Sequence, residues 1–289
     1  MRKKLNKYQN PFYVSDLDGT LLRSNATLSS YSKKILQQLL HEGLHFTVAS
    51  ARSVFSMWPI LDGLRLSLPV IEFNGAFISD LETGKHIVTN SIDSLVARKI
   101  YQLILGCGHL PFISTFNGTT DRLYYSRITN MGMQWYFENR QQNQDKRLRK
   151  TRDLAETLAE EIMCFTIIDS SESLYDLKSI LKKEYNHLVE IHFQENLYSP
   201  SWYWLTIHDH KATKDKAISW IRTENGLVKN ELVVFGDHTN DIKMFQIADR
   251  RIAVKNAIIE LKQQATHIIE SNQSDGVVKY VENDWTNGE

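Results

Sequence analysis

Two short strings more than two hundred positions apart carry residue types suited to metal-assisted chemistry: Asp16-Leu17-Asp18-Gly19-Thr20 and Gly236-Asp237-His238-Thr239-Asn240-Asp241. Each follows a run that reads as a buried strand, Phe12-Tyr13-Val14 and Leu232-Val233-Val234-Phe235, so each acidic group falls where a strand ends in a loop. In an open parallel sheet that edge is where ligands bind. Four carboxylates meeting there, from Asp16, Asp18, Asp237 and Asp241, repel one another, and a hard cation such as Mg2+, which takes oxygen ligands, relieves the repulsion.

Asp16 and Asp18 are one residue apart, which on extended backbone turns both side chains to one face. One ionised carboxylate can then attack phosphorus and form an aspartyl-phosphate. The other can protonate the leaving oxygen and deprotonate the hydrolytic water. Asp-Gly is also a common turn dipeptide. Asp237 is placed to coordinate the cation, while Asn240 and Asp241 can orient water or phosphate or tether a lysine; the same residues could cap a helix. Ser50, between an apolar strand and a helix, could hold a phosphate oxygen or serve as a plain N-cap. Arg52 beside it could add charge to that site, although an arginine in a first helical turn is usually solvated. Lys214 could neutralise charge between phosphate and nucleophile, but at the positive end of a helix dipole it needs an anionic partner. Otherwise it is one surface lysine among Lys211, Lys214 and Lys216.

These side chains depend on a βαβα framework. A strand at 12–15, a helix from Ser29 to Glu42 with Ile35, Leu36, Leu39 and Leu40 on one face, a strand His45–Ala49, a helix through Trp58 and a strand Val70–Phe73 imply a mostly parallel sheet covered by helices. Gly43 should close the first helix. A hairpin turning at Glu82-Thr83-Gly84 follows. Between about 91 and 208 the rhythm changes to helices near 93–105, 130–140 and 171–184 among strands near 110–116, 121–126, 162–168, 188–194 and 202–207. Short connections there favour an antiparallel sheet with helices on one side, an inserted α+β domain. The alternating pattern returns with a helix 214–223, a strand 231–235, a helix 239–248, a strand Ile252–Val254, a helix 256–265 and a closing segment at Asp275-Gly276-Val277. The expected domains are therefore 1–90 and 209–289 for the core and 91–208 for the insert.

The 289 residues and 42% hydrophobic content allow two cores. Lys plus Arg equal Asp plus Glu at 34 each, which argues against nucleic acid or an anionic membrane as the main partner and leaves small molecules. Cys107 and Cys164 read as ordinary reduced thiols. The basic start, Met1 to Asn10, lacks an apolar signal-peptide run, and no stretch is long enough for a membrane helix, so a cytoplasmic protein is expected, monomeric or a small homo-oligomer. His208 and His210 have no further histidine or cysteine to complete a metal site, which leaves a surface or hinge role. Arg140 to Arg152 reads as a solvated basic surface.

In order and spacing the chain resembles the haloacid dehalogenase-like superfamily, and within it the Cof-type sugar-phosphate phosphatases. The resemblance rests on Asp16-Leu17-Asp18-Gly19-Thr20-Leu21-Leu22, Ala49-Ser50-Ala51-Arg52, Asn74-Gly75-Ala76, Lys214, Gly236-Asp237 with Asn240-Asp241, Ala253-Val254 with Asn256-Ala257, and Asp275-Gly276-Val277. It implies a Rossmann-like core with an inserted α/β cap, magnesium dependence, and hydrolysis of small phosphate monoesters such as sugar phosphates. Asp16 would then be the nucleophile and Asp18 the general acid/base. The cation would sit on the Asp16 carboxylate, the Asp18 carbonyl and Asp237, and phosphate on Ser50, Lys214 and Asn240, with Asp241 in support. A phosphomutase of the same architecture and a low-activity sugar-phosphate-binding regulator are the alternatives. Ala51 stands where the family usually has glycine, and a required positive φ there would strain the loop.

Overall fold

The computed structural model describes residues 10–287, so all of the basic start except Asn10 lies outside the described residues. The chain forms two compact units, one running up to Thr89 and resuming at Thr213, the other Asn90–Ala212. Along the chain lie β1 Phe12–Ser15, α1 Ser30–His41, β2 His45–Val48, α2 Val54–Leu61, β3 Val70–Glu72, β4 Phe77–Ser79 and β5 His86–Thr89. The second unit holds α3 Ser94–Gly106, β6 Phe112–Phe116, β7 Asp121–Tyr125, α4 Met131–Gln142, β8 Leu148–Lys150, β9 Glu161–Asp169, α5 Tyr175–Glu184, β10 Val189–Asn196 and β11 Ser199–Asp209. The first unit resumes with α6 Lys214–Glu224, β12 Leu232–Gly236, α7 Ile242–Gln246, β13 Arg250–Val254, α8 Ile259–Lys262, β14 His267–Ile269 and α9 Gly276–Asn287.

The first unit is built on a five-stranded parallel sheet of order β14-β13-β12-β1-β2. β1 and β12 are buried along their whole length, as strands covered by helices on both faces must be, which explains their unbroken apolar runs. The chain leaves β1 for β2 on one side and returns to β12 on the other, so the carboxyl end of β1 is a topological switch point. Register pairs Ser15 with Phe235, and the residues that follow, Asp16 and Gly236-Asp237, emerge side by side. An Ala49–Ile71 parallel bridge leads from the sheet to the antiparallel set β3-β4-β5.

Local signals account for the helix ends. Ser29 Oγ caps α1 by accepting from Ser32 N at 2.9 Å, and Leu36 and Leu39 are buried. Gly43, at φ +96°, takes the left-handed conformation that ends the helix. The expected helix 239–248 is a short 3-10 turn at Thr239–Asp241 followed by α7, and the helix expected over 256–265 is only the single turn of α8. The segment at Asp275-Gly276-Val277 opens the 12-residue helix α9, whose Val277, Val278 and Val281 enter the core.

The second unit carries a six-stranded sheet of order β10-β11-β9-β6-β7-β8, antiparallel except for β7–β8. Adjacent residues diverge: Ile113 and Ile167 join a cluster with α3 and α5, whereas Phe112 and Ile168 join a cluster with Met133 and Tyr136 of α4. Helices therefore cover both faces, not one as the sequence suggested. The stretch Arg140–Arg152 is not wholly a solvated surface either. It contributes β8 and a buried Arg147–Asp145 ion pair of 2.7 Å.

His208 is not at the surface: it is 1% exposed, 3.7 Å from Cys164 Sγ. Burial pushes its pKa down from 6.5 to about 4, so the unfolded chain takes up a proton that the folded chain refuses across that window. Stability should be fully present above pH 6.5 and fall by ~3 kcal/mol towards pH 4. Urea unfolding of wild type and His208→Gln checks this: the variant should show a flatter acid limb, and identical limbs would clear His208 of the effect.

Candidate active site

Asp16 follows β1 and is almost fully buried, with its backbone N–H donated to Phe235 O at 3.0 Å. Lys214, the first residue of α6, lies buried with its Nζ 2.5 Å from Asp16 Oδ1 and 2.7 Å from Asp241 Oδ1. These two carboxylates are the anionic partners that a lysine at a helix N-terminus requires. Asp241 Oδ2 accepts from the backbone N–H groups of Asp237 and His238 at 2.9 and 3.0 Å, which fixes the turn after β12. Asp237 in turn accepts from Thr20 Oγ1 at 2.7 Å. Oxygens of Asp16, Asp237 and Asp241 all lie within 4.8 Å of one another.

The charges explain what this cluster wants. Burial, reinforced by Asp241 and Asp237, raises the Asp16 pKa well above the usual carboxylate range against the pull of Lys214. Burial and Asp241 push Asp237 up to about 7, opposed by the Thr20 hydrogen bond. For Lys214, burial alone would lower the pKa, but Asp16 and Asp241 outweigh it and the net shift is upward. One lysine thus stands against three buried carboxylates, and the uncompensated charge is held back as protons. A donor set of hard oxygens with surplus negative charge fits Mg2+ or a similar cation.

Asp18 is not part of this cluster, so three carboxylates converge rather than four. Its two oxygens accept from Arg52 Nη2 at 2.6 Å and Nε at 2.7 Å, a forked pair that corrects the expectation of a solvated Arg52. Ser50 is buried and its Oγ accepts from Arg52 N at 3.1 Å, an N-terminal turn that leaves its O–H to donate. Ala51 is absent from the positive-φ positions, so the alanine is accommodated without strain. Asn240 does not reach the carboxylates; its Nδ2 donates to Asn74 Oδ1 at 3.1 Å.

Several residues that sequence reasoning left without a role hold the loops together. Phe73 and Asn74 have φ of 45° and 56°, conformations that cost of order 1–3 kcal/mol each and persist where surroundings enforce them. Here Phe73 N and Asn74 N donate to Arg52 O and Ser50 O, locking the loop after β2 to the loop after β3. Gly75, at φ +116°, lets the Thr213 backbone approach: a Cβ there would stand 2.7 Å from Thr213 O. Gly19, at φ +82°, likewise faces Asp237, whose carboxylate a Cβ would strike. Asn256 Nδ2 donates to Gly19 O at 2.7 Å, and Asn272 Nδ2 to Leu22 O at 2.8 Å. Only the motif match singled out Asn74 and Asn256, and nothing local marked Asn272.

A family model for haloacid dehalogenase-like hydrolases matches residues 13–281. The chain belongs to the haloacid dehalogenase-like hydrolase family. As a member of that family it is similar to the Bacillus subtilis protein YwtE, named a 5-amino-6-(5-phospho-D-ribitylamino)uracil phosphatase, at 24% identity over 92% of this chain and 95% of that one. Among solved structures, a haloacid dehalogenase-like hydrolase from Bacteroides thetaiotaomicron superposes with a TM-score of 0.79 at 22% identity, covering 95% of this chain and 99% of that one. A protein described as a subclass IIB sugar phosphatase of the same family superposes with a TM-score of 0.76 at 18% identity, covering 96% of this chain and 100% of that one. The fold of this haloacid dehalogenase-like hydrolase is thus shared across nearly its full length. No helix among its described residues is long and apolar enough to cross a membrane.

Proposed function

We propose that this hydrolase is a magnesium-dependent phosphatase of small phosphate monoesters, sugar phosphates or similar metabolites, acting through an aspartyl-phosphate on Asp16. The observation that carries the reading is the Asp16–Lys214–Asp241 chain of ion pairs beside Asp237 at the end of β1. Mg2+ held by the carboxylates of Asp16 and Asp237 and the backbone carbonyl of Asp18 would supply positive charge against the phosphate oxygens. YwtE, whose name specifies a phosphorylated ribityl chain, supports the substrate class.

Lys214 fixes Asp16 through Oδ1, which leaves Oδ2 to attack. A lone pair on Oδ2 forms the O–P bond as the ester P–O bond breaks, and the leaving oxygen takes a proton from Asp18. Water then attacks phosphorus, Asp18 recovers the proton, and the Asp16–phosphorus bond breaks to give orthophosphate. Both Asp18 oxygens are engaged by Arg52, so at least one of those hydrogen bonds must open whenever Asp18 carries the proton. The Ser50 hydroxyl and Lys214 bind the transferring phosphoryl group, and Asn240 positions the Asn74 loop around it. The inserted unit is proposed to choose among monoesters.

Orthophosphate release from p-nitrophenyl phosphate and a panel of sugar phosphates, with and without Mg2+, tests the reading. Metal-dependent release from at least one monoester is expected. Isomerised sugar phosphate without free orthophosphate would make the protein a mutase, and no turnover at all by pure, folded protein would overturn the assignment.

A further inference from the structure

We infer that the unit Asn90–Ala212 carries a second anion site of its own, suited to a small molecule that joins a phosphate-like dianion to an apolar body. Between α3 and the segment after β8 lies a cavity of about 460 Å³, within the range of small-ligand sites. Its floor is apolar: Tyr101 and Leu154 are buried, and Leu105 and Leu110 complete it. Three cations, Arg127, Lys150 and Arg152, stand around it. None of the three pairs with a carboxylate among the described residues. This contrasts with Arg122 and Arg147 of the same unit, which are tied to Glu160 and Asp145. The one acid in the lining, Asp153, is occupied in part by capping the following turn through Ala155 N at 2.8 Å.

The local balance is therefore three positive groups to one negative in a chain whose total charge is zero. Unpaired cations over an apolar floor suit a ligand with a charged head and an apolar body, as small-molecule sites typically combine a hydrophobic lining with a few polar anchors. Ser126 and Thr151 add hydroxyls at the same edge. The cavity shares no residue with the acidic cluster of the other unit, so the site stands or falls independently of the proposed phosphatase activity.

Calorimetric titration of the full chain with phenyl phosphate in EDTA tests the proposal. EDTA removes any cation that would hold a phosphate at the acidic cluster of the other unit, and the triple variant assigns the binding that survives to the three cations. Saturable binding by wild type is expected, at least about tenfold weaker in R127Q/K150Q/R152Q and absent for phenol. The three substituted side chains are exposed, and an unchanged melting temperature confirms that the variant is folded. A second variant, Leu105→Asp, should weaken binding by filling the floor with charge. Equal affinity in wild type and the triple variant, or no saturable binding by wild type, overturns the proposal.

Discussion

Asp16→Asn should lower kcat for magnesium-dependent aryl phosphate hydrolysis by at least about a thousandfold, because the amide keeps the shape of the carboxylate but has no nucleophilic oxygen anion. The same substitution should raise the stability of the metal-free protein. Burial, with Asp237 and Asp241 nearby, makes the Asp16 carboxylate costly in the folded state, so folding must take up a proton or bury a charge there, and an always-neutral side chain spares both. Activity and stability thus move in opposite directions, which a merely structural role would not produce. Steady-state kinetics and thermal melts in EDTA on one preparation decide it: retained turnover in the variant would remove Asp16 from the chemistry.

Metal removal should have the next largest effect, and its pH dependence follows from the same carboxylates. Asp237 has its pKa pushed up from 3.8 to about 7 in the folded chain, so the folded metal-free state binds a proton that the unfolded state releases. That contribution to stability is complete below pH 3.8 and is lost as pH rises through about 7, a change of at most ~4 kcal/mol. Mg2+ must displace the same protons, so its affinity and its stabilising effect should grow with pH up to about 7 and then level off. Melting temperatures with EDTA and with Mg2+ at pH 6 and pH 8 provide the comparison. The expected result is a larger gain at pH 8, together with loss of hydrolysis in EDTA at both. A gain independent of pH, or hydrolysis that persists in EDTA, would dissociate the acidic cluster from metal binding.

The parallel core was legible because its strands are buried on both faces and so are written as uninterrupted apolar runs, Phe12-Tyr13-Val14 and Leu232 to Phe235. Asp16 and Asp237 were legible because each comes two residues after such a run ends. What escaped depends on partners distant in sequence. Arg52 looks like any exposed arginine until Asp18, 34 positions away, is placed beneath it. Asn272 caps a carbonyl 250 positions earlier, for which no local pattern exists. β14 is short and its first two residues are exposed at the sheet edge, so its apolar signal is weak. The helices on two faces of the second sheet were missed for another reason: runs such as Ile162 to Ile168 bury both sides, and alternation no longer reveals which face is covered.

The adjacency of β1 and β12 also bears on how the protein is made. Thr20 and Asp237 are separated by 217 positions, so on the ribosome β1 waits roughly 10–40 s for its neighbour β12 at ordinary elongation speeds. During that interval one edge of the nascent sheet has no hydrogen-bonding partner, while the interposed unit, complete in itself by Ala212, has already left the exit tunnel or nearly so. The enzyme is expected to finish folding from the middle of its chain outwards, and nascent chains that stall between the two strands should be the ones most in need of a chaperone.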